Sequence, residues 1–129
     1  MAASLLTLRM CPLSNSAVDA GFRKLRLEEA GRHAFLCIGP DCCAEAEGLA
    51  SWEVLKAELK AAGVPVLRTK AACLRVCSGG PWLVVYPEGV WYGAVTAERC
   101  RRIVQEHLVG NRPVAEWIAR EHPLRAPPV

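Results

Sequence analysis

Cysteine is the residue type most able to do chemistry in this chain: there are seven in 129 residues, and five of them fall in two short stretches. Cys37 and Cys42 have four residues between them, with Cys43 immediately following. Cys73 and Cys77 have three between them and run into Ser78, Gly79, Gly80 and Pro81. Thiols so grouped could form a disulfide, exchange electrons as a dithiol, bind a metal, or simply pack. A thioredoxin-type redox pair needs two intervening residues at a helix start, and neither spacing fits. An odd count, with Met1 to Leu8 too short an apolar run before Arg9 to be a secretory leader, argues against a secreted disulfide framework. A reducing, cytoplasmic setting is expected, where clustered thiols more often bind metal. Four thiolates could close a structural zinc site, whose usual pair spacing is two residues, or hold a larger dinuclear centre, which wider gaps suit better.

Elements on either side must bring the two stretches together. RHAFLCIG from Arg32 is a short strand that ends at Gly39 and Pro40. GLASWEVLKAELKAAG follows as an amphipathic helix, with Leu49, Trp52, Leu55, Lys56 and Leu59 at three- and four-residue spacing and Gly63 as its C-terminal stop. VPVLRT, residues 64–69, is a second strand, and a helix between two strands favours a parallel βαβ unit. PWLVVYP (81–87) and VWYGAV (90–95) form a hairpin about Pro87, Glu88 and Gly89. Thr96 is the expected N-cap of AERCRRIVQEHLVG, which buries Cys100, Ile103, Val104 and Leu108 and stops at Gly110. The order βαβ then ββα predicts an α/β fold, a four-stranded mixed sheet with packed helices. Loops at the same end of neighbouring parallel strands are neighbours in space, so the two cysteine stretches converge.

Residues 1–31 read as a flexible N-terminal extension, basic, Ser-containing and faintly like an organelle transit peptide, with Cys11 uninvolved. Residues 32–110 form the single domain that this length allows, and 111–129 a tail with a short helix started by Pro113. Sixteen basic against thirteen acidic residues leave a formal charge of +3 without a basic block, so no nucleic-acid or membrane-surface signature emerges. No apolar run approaches about 18 residues, so no spanning helix is expected. His33, His107 and His122 are scattered, which disfavours histidine ligation of a Rieske type. No phosphate loop, Ser/His/Asp set or paired carboxylates supports an enzyme.

The spacing is not that of plant-type ferredoxins, in which three ligands share one loop. Instead HAFLCIGPDC, then CLRVCSGGP, then VVYPEGVWYGAVTAE resembles the thioredoxin-like two-iron two-sulfur ferredoxins, relatives of the small iron-sulfur subunit of NADH dehydrogenases and hydrogenases; the likeness runs from about His33 to Leu108. It implies a thioredoxin-like fold, a 2Fe-2S cluster on four cysteines, one-electron transfer to transient redox partner proteins, and often a homodimer. Carried over, Cys37, Cys73 and Cys77 are ligands. Cys42 keeps the four-residue gap of the NADH-dehydrogenase relatives, while Cys43 followed by Ala44 resembles other members; Cys42 is favoured, with Cys43 as the alternative. Amides of Gly79 and Gly80 are expected near sulfur, Arg75 lies between two ligands, and Trp82, Trp91 and Tyr92 either pack or form an interaction surface. Two other readings remain open: a zinc-stabilised protein interaction module, and an iron-sulfur subunit of a larger complex.

Overall fold

The computed structural model describes residues 15–125; Cys11 and the rest of residues 1–14 lie outside it. Helix α1 (Ser16–Leu25) starts at Asn15, whose side-chain oxygen accepts from the amides of Ala17 and Val18 at 3.0 and 3.1 Å and so caps two otherwise unpaired N–H groups. It buries no residue. Strand β1 (Arg32–Cys37), helix α2 (Glu45–Ala62) and strand β2 (Val66–Ala71) follow as expected, with Gly63 in the left-handed conformation at φ 69° closing α2. Strands β3 (Leu83–Tyr86) and β4 (Val90–Tyr92) form the hairpin, turned at Gly89 with φ 70°.

The sheet has five strands rather than four, in the order β2-β1-β3-β4-β5, with only β1 and β2 parallel. The added strand comes from the tail. After one turn of 3-10 helix (Ala115–Trp117), residues Ile118–Glu121 form β5, antiparallel to β4. IARE is too short and polar to announce itself as a strand; the exposed backbone edge of β4 recruits it.

Alternation along the strands divides the sheet. Ala34, Leu36, Leu83, Val85, Val90 and Tyr92 face the core with Trp52, Leu55 and Leu59 of α2. His33, Phe35 and Tyr86 occupy the other face, the first two stacked at 4.0 Å. Leu49 of α2 is exposed, contrary to expectation. The buried stripe runs instead through Gly48, Ser51, Trp52, Leu55 and Leu59, because α2 begins at Glu45 and lays Gly48 against the chain leaving β1. A Cβ at Gly48 would lie 2.4 Å from Ile38 Cα, so only glycine lets α2 press on that loop.

Helix α3 (Ala97–Ile103) is capped by Thr96, whose Oγ1 accepts from the Arg99 amide at 3.3 Å. It continues as a π-helical segment, Val104–Val109, to Gly110. Cys100 is fully buried on its core face, as expected.

Candidate metal centre

Cys37 is the last residue of β1, paired in register with Ala71. Its position in the alternation puts it with His33 and Phe35, on the face opposite the helical core. The thiol is nevertheless fully buried, and its Sγ accepts a hydrogen bond from the Trp82 amide at 3.1 Å. Gly39, at φ 91°, turns the chain tightly against the Cys43 carbonyl, and the loop folds back so that Cys42 Sγ lies 2.6 Å from Cys37 Sγ. Cys42 is buried. Cys43 is half-buried, its Sγ 3.7 Å from that of Cys42.

The second loop leaves the parallel neighbour of β1. Cys73 is half-buried and Cys77 exposed, their sulfurs 4.0 Å apart. Arg75 adopts φ 75°, which turns its amide back onto Cys73 Sγ at 3.1 Å. The two loops meet where the Gly80 amide donates to the Cys42 carbonyl at 2.9 Å. A Cβ on Gly80 would sit 2.9 Å from that oxygen and 3.0 Å from Cys42 Cβ, so the approach requires glycine.

The structure therefore joins Cys37 to Cys42 and Cys73 to Cys77, and brings the loops into contact. Among the described residues, no three His, Cys, Asp or Glu side chains surround a single point as one metal ion would require. A tetrahedral metal at about 2.3 Å from each sulfur spaces two thiolates by about 3.8 Å. Cys73 and Cys77 stand near that spacing; Cys37 and Cys42 must part to reach it. Two pairs on adjoining loops suit a dinuclear centre in which each metal takes two thiolates.

One expectation is corrected in detail. The amides directed at Cys37 and Cys73 sulfur are those of Trp82 and Arg75, not of Gly79 and Gly80: Gly80 serves the Cys42 carbonyl, and the Gly79 carbonyl accepts from Ala94 at 2.8 Å. Where a backbone N–H points follows from the fold, and residue type carries little sign of it.

Burial raises the Cys37 thiol to about 12, helped by its contact with Cys42 and opposed by the Trp82 amide. Cys43 is pushed up to about 11, by burial first, then by Cys42 and Glu47. Cys77 is raised by Cys73, with Asp41 adding to the effect and Arg75 opposing it. These thiols hold their protons at neutral pH, so a metal that binds them must displace protons.

The histidines stay apart from the sulfurs. His33 Nε2 lies 2.8 Å from Thr69 Oγ1. His107 is fully buried between Tyr92, at 2.8 Å from Nδ1, and Glu88, at 2.7 Å from Nε2. Glu88 also accepts from Arg32 Nε at 2.7 Å, and the Tyr92 hydroxyl accepts from the Val114 amide at 3.0 Å. Both ring nitrogens are thus partnered, Nδ1 with the Tyr92 hydroxyl and Nε2 with the Glu88 carboxylate. This network, unforeseen in the sequence, ties β1, the hairpin, the π-helical segment and the tail together. Tyr92, expected as a packing or surface residue, is entirely interior.

Against known structures, the chain overlays a thioredoxin-like [2Fe-2S] ferredoxin from Aquifex aeolicus with a TM-score of 0.63 and 28% identity, covering 72% of this chain and 94% of the other. The wild-type crystal structure of that ferredoxin gives the same score, with coverage of 69% and 96%. The chain is similar to the thioredoxin-like [2Fe-2S] ferredoxins in fold and in part of its sequence. Curated proteins agree: a 2Fe-2S ferredoxin of Aquifex aeolicus is 50% identical over 50 residues, and one of Clostridium pasteurianum 51% over 49. These matches take in 39% and 38% of this chain and span a little under half of either relative, 45% and 48%. A putative 2Fe-2S ferredoxin of Priestia megaterium is 29% identical over 90 residues, 70% of this chain and 71% of that one. No family model matches the chain. The shared thioredoxin-like ferredoxin fold accounts for a mixed sheet whose parallel pair carries both cysteine loops at one end. Among the described residues no helix is long and apolar enough to cross a membrane.

Proposed function

We propose that this protein is a one-electron carrier that holds a 2Fe-2S cluster on Cys37, Cys42, Cys73 and Cys77. The observation that carries the reading is the paired arrangement of thiols on two loops joined through Gly80 and Cys42, in a chain similar to ferredoxins. Cys42 is preferred over Cys43 because it is buried and is the thiol in contact with Cys37. When bound, the cluster supplies one electron at a time as one iron cycles between ferric and ferrous states. The chain contributes the surroundings. The Trp82 and Arg75 amides donate to Cys37 and Cys73 sulfur, which favours the more negative, reduced form and raises the potential. Trp82 also ties down the loop that follows Cys77, its indole N–H donating to the Ser78 carbonyl at 2.7 Å.

On this reading residues 32–110 are the ferredoxin domain, with Val114 and β5 of the tail completing its core and sheet, the setting is cytoplasmic, and the protein passes electrons to partner proteins rather than acting as a catalyst alone. A homodimer, which the likeness to ferredoxins implies, has its support in the His33, Phe35 and Tyr86 aromatic row on the sheet face away from the core. Anaerobic purification with metal and sulfide analysis tests the proposal, followed by electron paramagnetic resonance after dithionite reduction. About two irons and two sulfides per chain and a rhombic S = 1/2 signal are expected. A colourless protein with stoichiometric zinc and no such signal makes it a zinc-stabilised module instead.

A further inference from the structure

Beside the Cys77 loop, the sheet face opposite the core opens into a groove of about 440 Å³ lined by Val76, Trp82, Trp91, Ala119 and Arg120. Its walls are mostly apolar. Trp82 and Trp91 meet edge to face, with ring centroids 6.5 Å apart, and Trp91 is the register partner of Arg120 on β5. Val76 is the residue before Cys77, so whatever enters the groove comes to rest against the loop that carries two of the proposed ligands. Val76 is 37% exposed, a large share for an apolar side chain in a loop held this firmly.

The charged side chain that lines the groove, Arg120, and the one beside Val76, Arg75, are both cationic. Arg120 lines the groove and makes no salt bridge among the described residues; its Nη1 donates only to the carbonyl of Ala119, at 2.6 Å. Arg75, beside Val76, is exposed and also makes no salt bridge. Elsewhere four arginines are held in ion pairs, Arg26 with Glu29, Arg32 with Glu88, Arg101 with Glu58, and Arg102 with Glu106 and Glu116, while Arg68 and Arg99 lie over the rings of Trp52 and Trp117. Asp41 acts on Cys77 but does not line the groove. Two paired tryptophans with uncommitted arginines at their margin match a partner surface that offers an apolar side chain ringed by carboxylates. A second copy of this chain meeting the same surface across a two-fold axis would instead set a cationic margin against a cationic margin.

We propose that the Trp82–Trp91 groove is the docking site of an acidic redox partner, with an apolar side chain of the partner seated against the paired tryptophans and a carboxylate on Arg120. The proposal rests on the electron-carrier reading and refines where the transfer complex forms.

The test uses the dithionite-reduced holoprotein and three oxidants: cytochrome b5 as an acidic haem protein, cytochrome c as a basic one, and hexaamminecobalt(III) as a small oxidant that needs no docking. Stopped-flow rates at low salt should favour cytochrome b5 and fall as salt is added. Arg120→Glu, on an exposed side chain, should cut the cytochrome b5 rate at low salt about tenfold and flatten its salt dependence while leaving the cobalt rate unchanged at high salt, where the charge of that oxidant is screened. Trp91→Leu should slow the cytochrome b5 reaction with the cobalt rate again preserved. Unchanged cytochrome b5 rates in Arg120→Glu overturn the proposal, as does a change of oligomeric state in sedimentation when either residue is replaced, which would assign the groove to a second copy. Failure of the underlying reading looks different: no cluster forms, and none of the three oxidants is reduced even by the wild type.

Discussion

Two groups of ionisable side chains sit at different places in this molecule and are held in opposite ways. The His107 network centres on a fully buried ring: Arg32, Glu88, His107, Tyr92 and the Val114 amide are linked through bonds of 2.7 to 3.0 Å that involve their side chains. The cysteines sit at a loop end, from the fully buried Cys37 to the exposed Cys77, and apart from one another their sulfurs are met by backbone amides, those of Trp82 and Arg75 among them. The comparison separates a polar group kept for stability from one kept for chemistry. In the first, each member's cost of burial is offset by its neighbours, so loss of one strands the others. In the second, the loops hold sulfur in place whatever happens to any one thiol, so loss of one should remove function before it removes the fold.

The largest expected effect lies on the cysteine side. Cys42→Ser should abolish the visible absorption and the paramagnetic signal of the reduced protein, whereas Cys43→Ser should leave both nearly intact; the reverse result would move the ligand to Cys43. Far-ultraviolet circular dichroism of both apo-variants should match that of the apo wild type, as the comparison requires. On the network side the order inverts. Tyr92→Phe leaves His107 Nδ1 and the Val114 amide without their partner and should cost about 1–3 kcal/mol in urea unfolding, with the cluster's signal shape unchanged. An altered signal with unaltered stability would erase the distinction between the two regions.

The smallest effect is the pH dependence. Burial holds His107 below its ordinary 6.5, against the pull of Glu88, while Arg32 adds to the lowering and Glu121 opposes it. Burial tends to raise Glu88, but the hydrogen bonds from His107 and Arg32 prevail and keep it below 4.5. In both cases the unfolded chain takes up protons at a higher pH than the folded one. The network's stabilisation is therefore complete above about pH 6.5 and declines as the pH falls, first through His107 and then through Glu88. Apo-protein melts from pH 8 to 4 should show this loss, and His107→Leu should remove its upper part.

Much of the scaffold was legible in the sequence because its signals are local. Thr96 and Gly110 bound the last helix through capping chemistry, Gly63 ends α2 in a left-handed turn, and the Pro87–Gly89 turn marks the hairpin. Leu49 misled because the reading began α2 at Gly48; the helix starts a turn earlier, and the close approach of Gly48 to Ile38 chooses the buried stripe. The pairing of β5 with β4 was not legible, since four residues of mixed polarity have no strand signature apart from the edge they complete.

For the site itself, the five cysteine positions, their two spacings and their place beside a parallel strand pair were determined by the sequence, because turn residues and alternation act over a few positions. Tertiary structure decided what lies far apart along the chain. It chose Cys42 as the contact of Cys37, aimed the amides of Trp82 and Arg75 at sulfur, and set Trp91 beside Arg120 in one groove. It also buried His107 between Tyr92 and Glu88. Each of these depends on strand register and on how loops close over one another, and such long-range geometry is settled only when the whole sheet is assembled.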